Sequence, residues 1–506
     1  MGTTLSFVLI PLGAVPVAMA TSYTYQSGPS ATANWNDSAV WSPTGVPDAP
    51  GDEAVFIRPL VTPSGAFTIT LPAAGDDTTV GSIVVDNTSY NNGNISRINT
   101  SGGKLIFQST AGPATYTENA GTVANSPGRI EINAPIVLLS DLVITQDNIR
   151  DLNTGTIFSD LINGASNITI TKEGEGGLQL NYGFALGSGE GFEGQFIIND
   201  GAIRLINAPG IAKSTGITVN SGGQLQLGQG SAGTVPNWTM APGAVLNLNG
   251  NGKSYSGSNN APDGALRFQT ASGATSSFDN PVNLQLDARI TSAPANSTAI
   301  LSNVVSGTGD LIKSGPGTLS LTNSGNNYTG DTSVLAGGPL SITTPFLEDS
   351  ADVYLVTGSA LNLNFAGTDV IDSFFIDGVS QAEGTWGATG NLAADFQTEL
   401  ITGNGLLDVT TLVVPGAPGD YNDDGIVDAA DYAVWRANDG GGTALPNDNG
   451  LGTPIRAEHY DLWVDHFGEM APGSGGGYGS PAAAPEPASA LLVLFALSGL
   501  LTGRMR

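Results

Sequence analysis

The sequence contains no cysteine. Disulfides, thiolate catalysis, zinc–thiolate sites and iron–sulfur clusters are therefore excluded. Basic residues are scarce too: 16 Lys and Arg stand against 45 Asp and Glu, a formal net charge of −29. Such a chain is repelled by nucleic acid and by anionic lipid, so neither is expected as a partner. Its carboxylates suit hard cations such as calcium instead. The two histidines, His459 and His466, both lie near the C-terminus, so nothing before them supplies an imidazole acid–base.

Glycine is plentiful. Its 70 residues are about twice the average share, as many short strands joined by tight turns require. The chain length of 506 corresponds to about three domains. Leu5 to Ala20 is almost wholly apolar and ends in Ala18-Met19-Ala20, the small-x-small pattern of a signal cleavage site. Residues 1–20 are read as an export signal, although no Lys or Arg precedes the apolar run. From Thr21 to Leu412 short alternating apolar runs are separated by Gly, Asn, Asp and Ser. Examples are Ser82-Ile83-Val84-Val85, Lys104-Leu105-Ile106-Phe107, Arg129-Ile130-Glu131-Ile132 and Asn167-Ile168-Thr169-Ile170. Period-two alternation predicts strands with one face buried, and little helix is expected in residues 21–412.

A glycine followed by Leu-x-Leu recurs at Gly177-Leu178-Gln179-Leu180, Gly223 to Leu227, Gly243 to Leu248, Gly317 to Leu321 and Gly358 to Leu363. Leu227 and Leu248, 21 residues apart, suggest one rung of a solenoid. A longer repeat runs from Leu311-Ile312-Lys313-Ser314-Gly315 through Gly317-Thr318-Leu319-Ser320-Leu321 to Tyr328-Thr329-Gly330. A looser copy runs from Ile170-Thr171-Lys172-Glu173-Gly174 through Gly177-Leu178-Gln179-Leu180 to Phe192-Glu193-Gly194. Lys172 aligns with Lys313, Gly174 with Gly315 and Gly194 with Gly330. In a solenoid rung such lysines are expected to cap turns or face solvent. This pattern resembles the autotransporter-associated β-strand repeat, most clearly over 302–342. The resemblance implies a mainly β fold, a right-handed parallel β-helix, on a bacterial surface protein. Some members of that family carry an outer-membrane β-barrel; no series of alternating ten-residue strands is found here, and self-transport is not expected.

After a linker at 413–418, the segment Asp420-Tyr421-Asn422-Asp423-Asp424-Gly425-Ile426-Val427-Asp428-Ala429-Ala430-Asp431 has the spacing of a calcium loop. Asp420, Asn422, Asp424, Asp428 and Asp431 place oxygen side chains at positions 1, 3, 5, 9 and 12. Gly425 stands at the sharp turn, and Ile426 would offer its backbone carbonyl. A helix with Tyr432, Val434 and Trp435 follows. Shifting by 28 residues matches Asp420 with Asp448, Tyr432 with Tyr460, Trp435 with Trp463 and Gly440 with Gly468. Over 419–469 the chain therefore resembles dockerin modules, which are duplicated loop-helix units. The resemblance implies a small α-helical calcium module with a cohesin-like or surface-polysaccharide partner. Ala429 and Ala430 stand where many dockerins carry polar recognition residues. The second loop presents Asp448, Gly450, Gly452, Arg456 and His459; only Asp448 keeps an oxygen ligand, so one tight calcium is expected per chain.

A Gly-, Pro- and Ala-rich linker at 470–484 precedes Pro485-Glu486-Pro487, an apolar run from Ala488 to Leu501, and Arg504 and Arg506. Residues 485–506 resemble the PEP-CTERM sorting signal. This implies transient inner-membrane anchoring, processing by an exosortase-type enzyme, and delivery to the cell surface or the medium. The run is short for a permanent span, and the terminal arginines fit the cytoplasmic side.

The expected function is that of an exported structural or adhesive protein with no catalytic residues. The rival is a carbohydrate-active or glycan-binding β-helix, since fold alone does not decide activity. Paired carboxylates could hydrolyse glycosides, but no such pair stands out in 21–412. Trp35, Trp41 and Trp386 could stack on sugars, and are expected instead to pack at the solenoid ends.

Overall fold

The computed structural model describes residues 20–26, 32–57, 66–87, 95–119, 130–147, 156–159, 162–181, 191–206, 211–228, 237–253, 263–412 and 416–470. These fall into two compact units that divide after Thr411.

The first unit is a stack of parallel strands. The segments singled out for alternation all form strands: Ser82–Asp86, Leu105–Phe107, Ile130–Ile132 and Thr169–Glu173. Their alternate residues are buried because successive side chains leave a strand on opposite faces. One buried column runs through nine coils in strict register: Ala54, Ile83, Tyr116, Ile144, Lys172, Ile198, Val219, Leu248 and Leu284. A second runs Ile290, Lys313, Val334 and Leu355, and ends on the half-buried Ile376. Each coil thus lays its apolar residues on those of the coil before, as in a parallel β-solenoid.

The 21-residue rung is present, but not between Leu227 and Leu248. Leu227 stacks on Leu205 and Phe268, whereas Leu248 stacks on Val219 and Leu284. They belong to different strands of the coil, and the turns on this side vary in length. Regular 21-residue coils occur later, where Leu311, Thr332, Val353 and Phe374 pair in succession, as do Leu319, Leu340 and Leu361.

Antiparallel pairings occur at the two ends. Ser22–Tyr25 meets Trp41–Ser42; Phe374–Ile376 meets Val379–Ser380; Gly384–Ala388 meets Leu406–Val409. Aromatic side chains cover the opening coils. Trp35 lies 5.1 Å from Trp41 and 6.0 Å from Phe56 between ring centroids, and Phe56 stacks on Phe67 at 4.5 Å. The indole N–H of Trp35 donates to the Pro47 carbonyl, and that of Trp41 to the Trp35 carbonyl. At the far end Trp386 packs between Phe374 and Phe396. The expectation that these tryptophans pack at the ends holds.

Close stacking also explains two aligned glycines. A Cβ at Gly194 would overlap the Ile168 carbonyl, and one at Gly330 would overlap the carbonyl of Gly309, each on the preceding coil. Backbone cannot retreat there without breaking the ladder. Gly330→Ala is expected to destabilise the first unit by about 2 kcal/mol, within the usual range for overpacking. Its thermal midpoint should fall by several degrees, and an unchanged midpoint would show that the coils are looser than described.

The second unit holds two ten-residue helices, Ala429–Asn438 and Ala457–His466, offset by the same 28 residues as the sequence repeat. They meet through aromatic side chains: Tyr432 lies 5.2 Å from Trp463, and Trp435 5.0 Å from Tyr460. The core beneath is small, with Ala417, Tyr421, Val427, Leu445, Ile455 and Trp463. A core of that size supplies limited stability without a disulfide or a cation. Among the described residues these are the only α-helices, and none is long and apolar enough to cross a membrane.

Candidate functional site

The first loop of the second unit is organised by its own carboxylates. Asp420 accepts the N–H of Asp424 at 3.2 Å and of Gly425 at 2.8 Å. Asp424 accepts the N–H of Ile426 at 3.0 Å, and Asn422 that of Asp424 at 3.1 Å. Asp431 reaches back from the first helical turn to the N–H of Asn422 at 2.9 Å and of Asp428 at 2.7 Å. Asp428 caps the helix through the Ala430 N–H, with Asp431 completing a capping box. Asp423 and Gly425 take positive φ, 59° and 84°, which is how a loop this tight reverses direction. Ile426 forms an antiparallel bridge with Met470.

All six predicted residues therefore share one loop, and its electrostatics are unbalanced. Asp420 and Asp431 are fully buried. Among the described residues, no Lys, Arg or His forms an ion pair with Asp420, Asp424, Asp428 or Asp431. Burial pushes the Asp431 carboxyl up, and the charge of Asp420 adds to that push against the pull of the loop N–H groups. Buried like charges without a counter-ion are unfavourable, and a hard cation with oxygen ligands is the partner that removes the imbalance. No group of three or more His, Cys, Asp or Glu side chains among the described residues is gathered as a metal cage. The carboxylates instead occupy themselves with backbone N–H groups, and each oxygen keeps lone pairs for a further partner. The donor chemistry fits calcium; its gathering would accompany binding.

The second loop is built differently. Asp448 accepts the N–H groups of Gly450 and Gly452, each at 2.9 Å, as Asp420 does in the first loop. The buried ring of His459 occupies the position of Asp431. Asn422, Asp424 and Asp428 have no oxygen-bearing counterparts there.

In the first unit the two aligned lysines are neither exposed nor in contact with solvent. Both are fully buried, which corrects the expectation of a solvent-facing rung position and keeps that of a turn cap. Each aliphatic stem continues a column of Ile, Val and Leu, and each ammonium ends among backbone carbonyls. Lys172 donates to the carbonyls of Glu173 at 2.6 Å and Gly174 at 2.7 Å. Lys313 donates to Gly315 at 2.6 Å and to Gly338, on the next coil, at 2.5 Å. Burial pulls Lys172 down to about 7, partly restored by Asp200 and Glu173, and pulls Lys313 down to about 8.

A further device escaped the sequence reading. Asp287, Asp310, Asp331 and Asp352 occupy one corner of successive coils. Each accepts the N–H of its equivalent on the next: Asp310 to Asp287 at 3.4 Å, Asp331 to Asp310 at 2.8 Å, Asp352 to Asp331 at 2.9 Å, and Ser373 to Asp352 at 3.0 Å. The 21-residue spacing of Asp310, Asp331 and Asp352 was the signal available. Burial, joined by neighbouring carboxylates, pushes Asp331 up. Asp369 rises to about 6, again through burial, but it is only 3% exposed and accepts the N–H groups of Phe346 and Leu347. It is out of reach of a polysaccharide. Residues 1–19 and the motif Pro485, Glu486 and Pro487 lie outside the described residues.

A family model described as the passenger-associated transport repeat matches residues 311–341. That span runs from the strand bearing Lys313 to the strand Leu340–Ile342 on the next coil. No curated protein and no solved structure matches the chain.

Proposed function

We propose that the chain is an exported cell-surface protein in which a β-solenoid serves as a structural or adhesive body. A dockerin-like module that binds calcium through Asp420, Asn422, Asp424, the Ile426 carbonyl, Asp428 and Asp431 provides docking or tethering. A PEP-CTERM tail, processed by an exosortase-type enzyme, directs surface delivery after transient inner-membrane retention. The observation that carries this reading is the register of parallel coils over the segment that matches the passenger repeat. The calcium assignment is supported by two buried loop carboxylates without a counter-ion. A cohesin-like domain or a surface polysaccharide is the partner class, and no catalytic residue is assigned.

The test is terminal peptide mass spectrometry of protein recovered from the cell surface and medium. Loss of the first ~20 residues and of the tail after Pro487 is expected. Recovery of Arg506 in released protein would sink the sorting assignment. A glycan array with the same material separates the rival class: binding without cleavage supports adhesion, and cleaved product would make the solenoid an enzyme.

A further inference from the structure

We infer that the second half of the module is a cation-free brace: the His459 ring fills its loop, and that half holds the backbone of the first loop in its binding shape. This rests on the calcium reading above. The two halves share the bond that starts the helix. Asp431 accepts the Asp428 N–H at 2.7 Å, and His459 Nδ1 accepts the N–H of Arg456, the residue equivalent to Asp428, at 3.3 Å. A nitrogen that accepts carries no proton, so the ring proton sits on Nε2. Nε2 lies 3.0 Å from the Gly452 carbonyl and 3.8 Å from Asp448 Oδ2. A ring N–H thus meets the Gly452 carbonyl and lies beside the Asp448 carboxylate, the one oxygen side chain the second loop keeps.

The filled loop then reaches across to the other half. Asn447 donates to the Asp420 carbonyl at 2.8 Å and to Asp423 Oδ1 at 3.0 Å, and its own carbonyl accepts the Gly419 N–H at 3.0 Å. The Tyr421 hydroxyl donates to the His459 carbonyl. The indole N–H of Trp463 donates to the Asp428 carbonyl at 2.7 Å. The backbone of Gly419 and of positions 1 and 9 of the first loop, and the side chain at position 2, are held from the second half. Asn447, His459 and Trp463 are positioning residues for the cation site, and none of them is a ligand.

The full chain suits the test because it has only two histidines. With 15N-histidine labelling, His459 is expected to show a neutral ring protonated at Nε2, identical in calcium and in chelator. Calorimetry should count one tight calcium per chain. Asn447→Ala should weaken that calcium about ten-fold, as loss of groups supporting metal ligands typically does, without moving the His459 signals. Tyr421→Phe, which deletes one hydroxyl and keeps the ring in the core, should weaken it in the same direction. A second tight ion, a His459 ring that changes with calcium, or unchanged affinity in both variants would overturn the brace and leave the first loop standing. Absence of any tight calcium in the wild type would overturn both readings.

Discussion

Lys313→Ala is expected to destabilise the solenoid by about 4 kcal/mol, while Lys313→Met at pH 7 should change it little. Truncation removes a stem packed between Ile290 and Val334 and opens a cavity, a loss of about 2–5 kcal/mol. It also strips Gly338 of its ammonium donor, whereas the Gly315 carbonyl keeps the Gly338 N–H at 3.1 Å. Methionine removes the same donor, but it restores the stem and relieves a buried charge, and exchanging a buried charge for a hydrophobe of similar volume is often neutral. The pH dependence separates the two roles of the residue. Burial pulls the folded pKa of Lys313 to about 8, below the ordinary lysine value of 10.5. Between those values the unfolded chain holds more protons, so stability rises with pH across that window. Lys313→Met should lack that component. Chemical unfolding of wild type and variant at pH 7 and pH 10 measures it; parallel changes in the two proteins would show that the amine stays protonated among its carbonyls.

These lysines show where sequence reading reached and where it stopped. The alternation at Ser82–Asp86 and Thr169–Glu173, the aligned copies, and the repeated loop-helix unit were all legible, because periodicity and glycine placement are local. That Lys172 and Lys313 enter the core was not. A lysine among polar turn residues reads as exposed until register places it under Ile144 or Ile290. The Leu227–Leu248 spacing misled for a related reason: a 21-residue interval is meaningful only between residues of the same strand position, and turn insertions hide which residues those are. The Asp287–Asp352 ladder was obscured by the abundance of acids in turns. It became distinct only when each carboxylate was seen to accept the N–H of the next coil. In the second unit the shared loop of Asp420, Asn422, Asp424, Asp428 and Asp431 was legible from spacing alone. The role of Asn447, whose side chain reaches a loop 27 positions earlier, depended on the fold.

Removing calcium should lower the thermal transition of the second unit selectively while leaving it folded at ambient temperature, and Asp424→Ala should reproduce that effect at saturating calcium. Six oxygen positions define the loop, and Asp424 supplies a carboxylate at its centre while fixing the Ile426 N–H at 3.0 Å. Alanine there removes a charged ligand and frees the segment whose carbonyl would serve as another, so a loss of at least a hundred-fold in affinity is expected. Calcium at about a hundred times its dissociation constant contributes about 2.7 kcal/mol to a unit that binds it only when folded. For a unit built on the small core around Tyr421, Val427 and Trp463, that is a large part of its stability. The solenoid relies on stacked apolar columns and internal ammonium groups, so its unfolding should stay where it was. Calorimetric scans of the full chain in calcium and in chelator should therefore show one transition that moves and one that does not. Asp448→Ala provides the control within the same unit. Asp448 holds Gly450 and Gly452 by their N–H groups but belongs to the loop filled by His459. That variant should lower the mobile transition in calcium and chelator alike, leaving one tight ion per chain. If Asp448→Ala abolished tight binding while Asp424→Ala preserved it, the cation would belong to the second loop, and the assignment of the two halves would have to be exchanged.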